Sequence, residues 1–243
     1  MSVFVAKELS EALNTKVVIG RINIGLLNRI IIDDVLLDDQ SGQEMLKVTR
    51  LSAKFDIMPF FKGKISISSV QLFGFNIDLR KETPESPPNI KFVLDAFASK
   101  DTWKRESSLD LRINSILIRR GRMSYHVLSE QETPGKFNAK HIQLQNIIAN
   151  ISLKALSKDS LNLGIKRLSL DQQASSFSLK KMSLKLVAND KQTIIDNFTI
   201  ELPETSLKLD TIHLEYDSLK ASDRYREQVH FSFRTLPSQV TLK

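Results

Sequence analysis

Four histidines, two pairs of adjacent aspartates and one arginine run are the side chains of this sequence with the chemistry for catalysis or ligand binding. His126, His141, His213 and His230 all fall inside predicted strands. None makes a close-spaced sequence pair of the kind that ligates metal, so they read as ordinary strand-face residues. Asp33-Asp34 and Asp38-Asp39 are the carboxylate pairs of note. Neighbours on a strand point to opposite faces, so neither pair is expected to flank one bond as glycoside hydrolysis requires. Both read as acids beside turns. Arg119, Arg120 and Arg122 are the densest basic group, and the reading places them at a hairpin turn before Gly121-Met123-Ser124-Tyr125. No glycine-rich phosphate loop, nucleophile elbow or Walker-type sequence occurs. Cysteine is absent, which removes disulfides, thiolate metal sites and thiol catalysis. An enzyme is not expected, and no metal or cofactor is expected.

Composition limits the remaining classes. The chain has 243 residues, 41% of them hydrophobic, which is enough for one large all-β domain or two smaller ones. The net charge of +7 is spread through the predicted strands. Nucleic acid would need that charge on one face with stacking aromatics, so no nucleic-acid partner is expected. No segment offers the roughly 18 consecutive apolar residues of a membrane span. Ser2-Val3-Phe4-Val5-Ala6 is too short for a signal peptide and lacks a basic lead.

One apolar phrase dominates the sequence. Two apolar residues alternate, two positions pass, and two more alternate. The best copies are Leu111-Ile113-Ile116-Ile118, Ile65-Ile67-Val70-Leu72, Leu163-Ile165-Leu168-Leu170 and Leu207-Leu209-Ile212-Leu214. Looser copies include Ile30-Ile32-Val35-Leu37, Leu46-Val48-Leu51-Ala53, Ile142-Leu144-Ile147-Ala149 and Phe177-Leu179-Met182-Leu184. On a helix these offsets scatter around the axis, whereas on a strand each pair shares a face. The gap flips the parity. A β-bulge there would return the second pair to the first face and bend the strand; a tight turn or a change of packing partner would also fit.

The elements follow from this pattern. Residues 2–14 read as a short amphipathic helix ended by Asn14, followed by strands over Val17–Ile24, Ile30–Leu37 and Met45–Ile57. Met58 to Gly63 reads as a helical turn that plugs the sheet with Phe60 and Phe61. Two further strands, Lys64–Phe73 and Phe75–Arg80, come next. Pro84, Pro87 and Pro88 mark a linker, and Asn89 is placed as the cap of a helix with an Ile90-Val93-Leu94-Phe97 stripe. Lys100–Ser108 reads as a polar link. From Leu109 to Phe233 the chain is strand after strand, separated by polar turns. The expected organisation is 1–81 as the N-terminal helix and first β-groove unit, 82–108 as linker and amphipathic helix, and 109–243 as the continuing sheet. The expected fold is mostly β, a long curved antiparallel sheet with a short N-terminal helix and one inserted helix.

The order of these elements resembles a known family. Val17-Val18-Ile19-Gly20-Arg21-Ile22-Asn23-Ile24, Ile32-Asp33-Asp34-Val35-Leu36-Leu37-Asp38-Asp39 and Leu51-Ser52-Ala53-Lys54-Phe55 are similar to the N-terminal portion of TamB-like proteins, within the AsmA-like group. Ile65-Ser66-Ile67-Ser68-Ser69-Val70-Gln71-Leu72-Phe73-Gly74, the Pro-rich break with Asn89-Ile90, and Ile118-Arg119-Arg120-Gly121-Arg122-Met123-Ser124-Tyr125 also resemble that group, particularly its Bacteroidetes-type members. The resemblance implies a taco-like β-groove that crosses the periplasm and carries phospholipid acyl chains from the inner toward the outer membrane. It implies an inner-membrane anchor and an Omp85-type partner engaged through a C-terminal domain. Both lie outside this sequence, so the chain is expected to be an N-terminal piece. The groove lining expected here is Ile65, Ile67, Leu111, Ile113, Leu163, Ile165, Leu207 and Leu209. The alternatives are a scaffold that pairs strand edges with outer-membrane protein clients, and a carbohydrate-binding β-protein. The second would need aromatic platforms and paired carboxylates, in a chain that is 7% aromatic.

Overall fold

The computed structural model describes residues 2–25, 28–55, 65–98, 109–156, 160–216 and 230–241. Helix α1 spans Ser2–Leu13. Strands β1 (Val17–Gly25), β2 (Arg29–Asp38), β3 (Glu44–Phe55) and β4 (Ile65–Lys81) follow, then helix α2 (Lys91–Ala98). The remaining strands are β5 (Leu109–Val127), β6 (His141–Leu156), β7 (Ser160–Gln172), β8 (Phe177–Asn189), β9 (Gln192–Glu201), β10 (Ser206–Glu215) and β11 (His230–Thr235). All eleven lie in one sheet in chain order, which is not closed. The mostly-β, open-sheet expectation is met. The expected plug at Met58–Gly63, the Lys100–Ser108 link and the turns at 157–159 and 217–227 lie outside the described residues.

By internal contacts the chain divides into two units. The first comprises Met1–Ile113, Leu117–Ile147 and Asp171–Phe177; the second comprises Asn114–Ile116, Ile148–Leu170 and Ser178–Lys243. In the first, α1 ends at Asn14, whose φ of 48° is the left-handed conformation that stops helices. Ser10 ties the helix end to the sheet, its Oγ accepting from the Val17 N–H at 3.0 Å. Val17, Ile19, Leu37 and Met45 form the buried core there. Val5, Ala6, Leu9 and Leu13 of the helix pack on it, with Ile90, Phe92 and Val93. Of the expected stripe, Ile90 and Val93 pack on this core beside Phe92, and the side chains of Leu94 and Phe97 lie outside the described residues.

One neighbouring pair departs from the antiparallel expectation. Arg120 stacks over the Phe73 ring, Gly121 abuts Phe75, Ser124 Oγ donates to Asp78, and the Leu128 N–H donates to the Lys81 carbonyl. The partner numbers climb together, so β4 and β5 run parallel. Parallel neighbours cannot be joined by a tight hairpin and need a crossover of a dozen or more residues. The Pro-rich segment and α2 supply it. This also corrects the placement of the arginine run, which lies inside the continuous strand β5 and not at a turn. Likewise Gly74, read as a break between two strands, lies inside the single strand β4 with φ 65°.

A buried carboxylate fastens the crossover. Asp39 Oδ1 accepts from the N–H of Ser41 (2.9 Å) and Gln43 (3.0 Å) and from Ser41 Oγ (2.6 Å). Its Oδ2 accepts from Arg80 Nη2 (3.2 Å) and Asn89 Nδ2 (3.3 Å). Asn89 Oδ1 in turn accepts from the Arg80 N–H at 2.9 Å. Asn89 therefore does not cap α2 as expected. It locks the linker onto the end of β4 and the β2–β3 turn. Burial pushes the Asp39 carboxyl up, but the hydrogen bonds from Ser41, Gln43 and Asn89 outweigh it, and the net shift is downward.

Two predictions follow from this geometry. A Cβ at Gly121 would come within 2.2 Å of Phe75 Cε1 in the neighbouring strand. Gly121→Val should therefore cost about 1–3 kcal/mol, read as a lowered urea midpoint, and an unchanged midpoint would refute the packing. Asp39→Ala should cost about 3 kcal/mol at pH 7 by stranding Arg80 and Asn89. A carboxylate with a depressed folded pKa stabilises above its unfolded pKa of about 3.9 and loses that contribution as pH falls through the folded value. The gap between wild type and Asp39→Ala should thus narrow in acid, and a gap constant from pH 7 to pH 3 would contradict the assignment.

Candidate functional site

The apolar phrase builds one face of the sheet. Directly paired residues share a side. In the first unit, β1 to β4 pair to give the rows Val17-Leu37-Leu46-Ile77, Ile19-Val35-Val48-Phe75, Ile22-Ile32-Leu51-Leu72 and Ile24-Ile30-Ala53-Val70. Ile22 and Ile32 pack against the same core as Val17, Ile19 and Leu37, although their parity differs. The gap therefore does restore the face. Between β1, β2 and β3, and between β9 and β10, it does so without an extra residue, since the register is unchanged across it. Between β8 and β9 and between β10 and β11 the register shifts by one residue at the gap, as a β-bulge does. Asp34, second residue of the gap, takes φ 56°, and this left-handed turn of one residue flips the alternation. The same device recurs at Gly74, Arg120, Asn146 and Asn197. Asp34, Thr49 and Gly74 lie level across three adjoining strands by the flanking register.

At one end α1 and α2 cover these rows. At the other, Ile24 is 79% exposed. The second unit contains only strands among its described residues. There β8, β9 and β10 pair to give the rows Met182-Ile200-Leu207 and Leu186-Ile195-Ile212, with Phe198 opposite Leu209 between them. Most of these side chains are half-buried by their neighbours in the sheet, and no described helix covers them.

The expected lining residues fall as follows. Leu207 and Leu209 lie on this apolar face, half-buried. Leu163 and Ile165 lie in β7, also half-buried. Ile65 and Ile67 lie in β4, and Leu111 and Ile113 in β5; their side chains lie outside the described residues. The sequence reading passed over Met182, Leu186, Ile195, Phe198 and Ile200 as lining. Their signal was present in the gap at Asp196-Asn197, flanked by Thr193-x-Ile195 and Phe198-x-Ile200.

The opposite side is polar. In the first unit a depression of about 680 Å³ is lined by Arg21, Asp33, Asp34, Arg50, Phe73 and Arg119. Both acids of the Asp33-Asp34 pair border it, contrary to strict alternation, because the left-handed backbone at Asp34 breaks that alternation. Arg50 Nε sits 2.6 Å from Asp33 Oδ1 and holds that carboxyl below the usual range. A paired, ionised carboxylate is a poor proton carrier near neutral pH. In the second unit a depression of about 560 Å³ has a mixed lining that includes the expected groove residues Leu163 and Ile165, with Leu184, Lys166, Lys185 and Asp196.

The histidines depart from the sequence reading. All four lie in strands, but His126 of β5 meets His141 of β6, with Nδ1 atoms 3.1 Å apart.

Neither a protein-family model nor a curated protein matches this sequence. No helix among the described residues is long and apolar enough to cross a membrane.

The left-handed residue is testable on its own. Asn197→Val should destabilise the chain by about 1–2 kcal/mol, because a branched Cβ opposes φ 52°. Asn197→Gly should fold at least as well as the wild type. Equal denaturation curves for the two variants would remove the proposed parity device.

Proposed function

We propose that the chain presents the apolar face of its sheet to phospholipid acyl chains and conducts them along it. The observation that carries this reading is the set of apolar rows across β8, β9 and β10 with no described helix over them. Each methylene taken from water onto such a surface gains about 0.8 kcal/mol. An acyl chain therefore binds through many small increments. Rows of similar side chains repeat along the face, so a chain can slide without a deep local minimum. The polar side keeps the sheet in water. On this reading the chain is a groove segment of a TamB-like envelope protein. It acts in the periplasm between the inner membrane and an Omp85-type outer-membrane partner.

A second reading is supported by β11. Among the described residues it lies at an edge of the sheet, and Phe231 and Phe233 on it are 57% and 56% exposed. An exposed strand edge can accept a client strand, as an assembly scaffold would.

Native mass spectrometry of the gently purified chain should reveal bound phospholipid, and the delipidated chain should take up a fluorescent phospholipid. Ile195→Asp and Phe198→Asp should lower that uptake several-fold with the circular dichroism spectrum unchanged, because a charge in an apolar row opposes the acyl chain. Purification free of lipid, with no uptake, would overturn the lipid reading. Crosslinks from β11 to a client strand in that case would favour the scaffold.

A further inference from the structure

We propose that His126, Glu132 and His141 form a binding site for a divalent late-first-row transition metal, with zinc as the type ion. The three residues come from one hairpin of the first unit. β5 and β6 pair beside the turn, where the Val127 N–H donates to the Lys140 carbonyl at 2.9 Å. That register sets His126 across from His141. Their rings are 5.4 Å apart, tilted by 53°, with Nδ1 facing Nδ1 at 3.1 Å. The connecting loop folds back so that Glu132 Oε1 lies 3.7 Å from one Nδ1 and 3.9 Å from the other. These three donor atoms all lie within 4.8 Å of one another.

The hydrogen bonding around the pair prepares one ligand. His141 Nε2 lies 2.9 Å from the Glu130 carbonyl, an acceptor only, so Nε2 carries the proton and donates. That leaves the Nδ1 lone pair of His141 directed at His126. A carbonyl that accepts from the other ring nitrogen fixes tautomer and ring orientation in metal-ligating histidines. Without an ion, two imidazoles this close share at most one N–H···N bond, and the Glu132 carboxylate is too far to complete it.

The distances fit a metal. Zinc bonds imidazole nitrogen at about 2.0–2.1 Å, which puts tetrahedral ligand atoms about 3.3 Å apart. The nitrogen pair is already near that separation. Glu132 must approach by a few tenths of an ångström, and its side chain is 64% exposed and free to do so. Two imidazoles and one carboxylate favour zinc, nickel or copper over magnesium and calcium, which take all-oxygen sets. The His126 and His141 side chains are 19% and 10% exposed, so the nitrogens are largely screened from water. The loop beside them shapes a depression of about 260 Å³ lined by Glu132, Thr133, Pro134, Lys136, His141 and Gln143. A fourth ligand, water or a donor atom of a partner, can enter from there. Bound metal would clamp the β5–β6 hairpin and order its loop.

The test uses the full chain without a histidine tag, stripped with a chelator. Titration with zinc chloride, followed by isothermal calorimetry, should give one site with a dissociation constant on the order of micromolar or tighter. Cobalt(II) should give the intense visible absorption of a tetrahedral centre. Glu132→Gln lies on an exposed loop and leaves folding intact; it should weaken binding about tenfold or more. His141→Ala should abolish the cobalt spectrum, and His213→Ala should leave it unchanged. Absence of saturable zinc binding in the wild type would overturn the proposal. So would binding that Glu132→Gln and His141→Ala leave unaltered.

Discussion

A β-strand keeps one apolar face only while its residues alternate, and this protein interrupts that alternation on purpose. The two-residue gap in its apolar phrase would turn half of each strand inside out. A single left-handed residue in the gap turns it back, as Asp34 does in β2 and Asn197 does in β9. Where neighbouring strands stay in register through the gap, as β1 to β3 and β9 to β10 do, the rows on either side of it remain aligned from strand to strand; between β8 and β9 a one-residue shift accompanies it. The apolar face, the core under α1 and α2, and the polar opposite side all depend on this correction. Glycine or asparagine is a low-strain residue there, and Asp34 and Arg120 occupy the same conformation at greater cost.

The second structural decision is the change of strand direction between β4 and β5. A parallel step inside an otherwise hairpin-built sheet needs a connection with its own packing. The Asp39 carboxylate provides the anchor by gathering the β2–β3 turn, the end of β4 and the start of the crossover. α2 then lies on the core beside α1, and one end of the apolar rows becomes a two-layer structure. The strands of the second unit have no such cover among the described residues, so the same phrase serves as core in one place and as surface in the other.

Much of this was legible in the sequence. Helix α1 and its stop at Asn14 follow from spacing and residue type alone, and so do most strands, because alternation is a local signal. The errors arose where a local signal competed with a distant partner. Gly74 and the Arg119–Arg122 run resemble turns, yet both are held inside long strands by neighbours on each side. Asn89 resembles a helix cap, but the buried Asp39 outbids the helix for its side chain. The pattern predicts a face reset by an extra residue, and such a bulge is present between β8 and β9 and between β10 and β11, whereas β1 to β3 keep their register and reset the face with a left-handed residue alone. His126 and His141 went unpaired because cross-strand distance depends on hairpin register, which single-residue propensities do not carry.

The repeated reset of the apolar face also makes the sheet modular. Every strand that carries the phrase in step adds one more rung, about 4.8 Å wide, to the same face. No barrel closure fixes the number of rungs. Removing a hairpin shortens the face by two rungs and leaves the direction of every later strand intact. Removing a single strand reverses all that follow, unless a crossover such as the one between β4 and β5 absorbs the change. Sheets of this design can therefore differ in length among related chains by whole hairpins, with the parallel step as the one place where an odd strand is gained or lost.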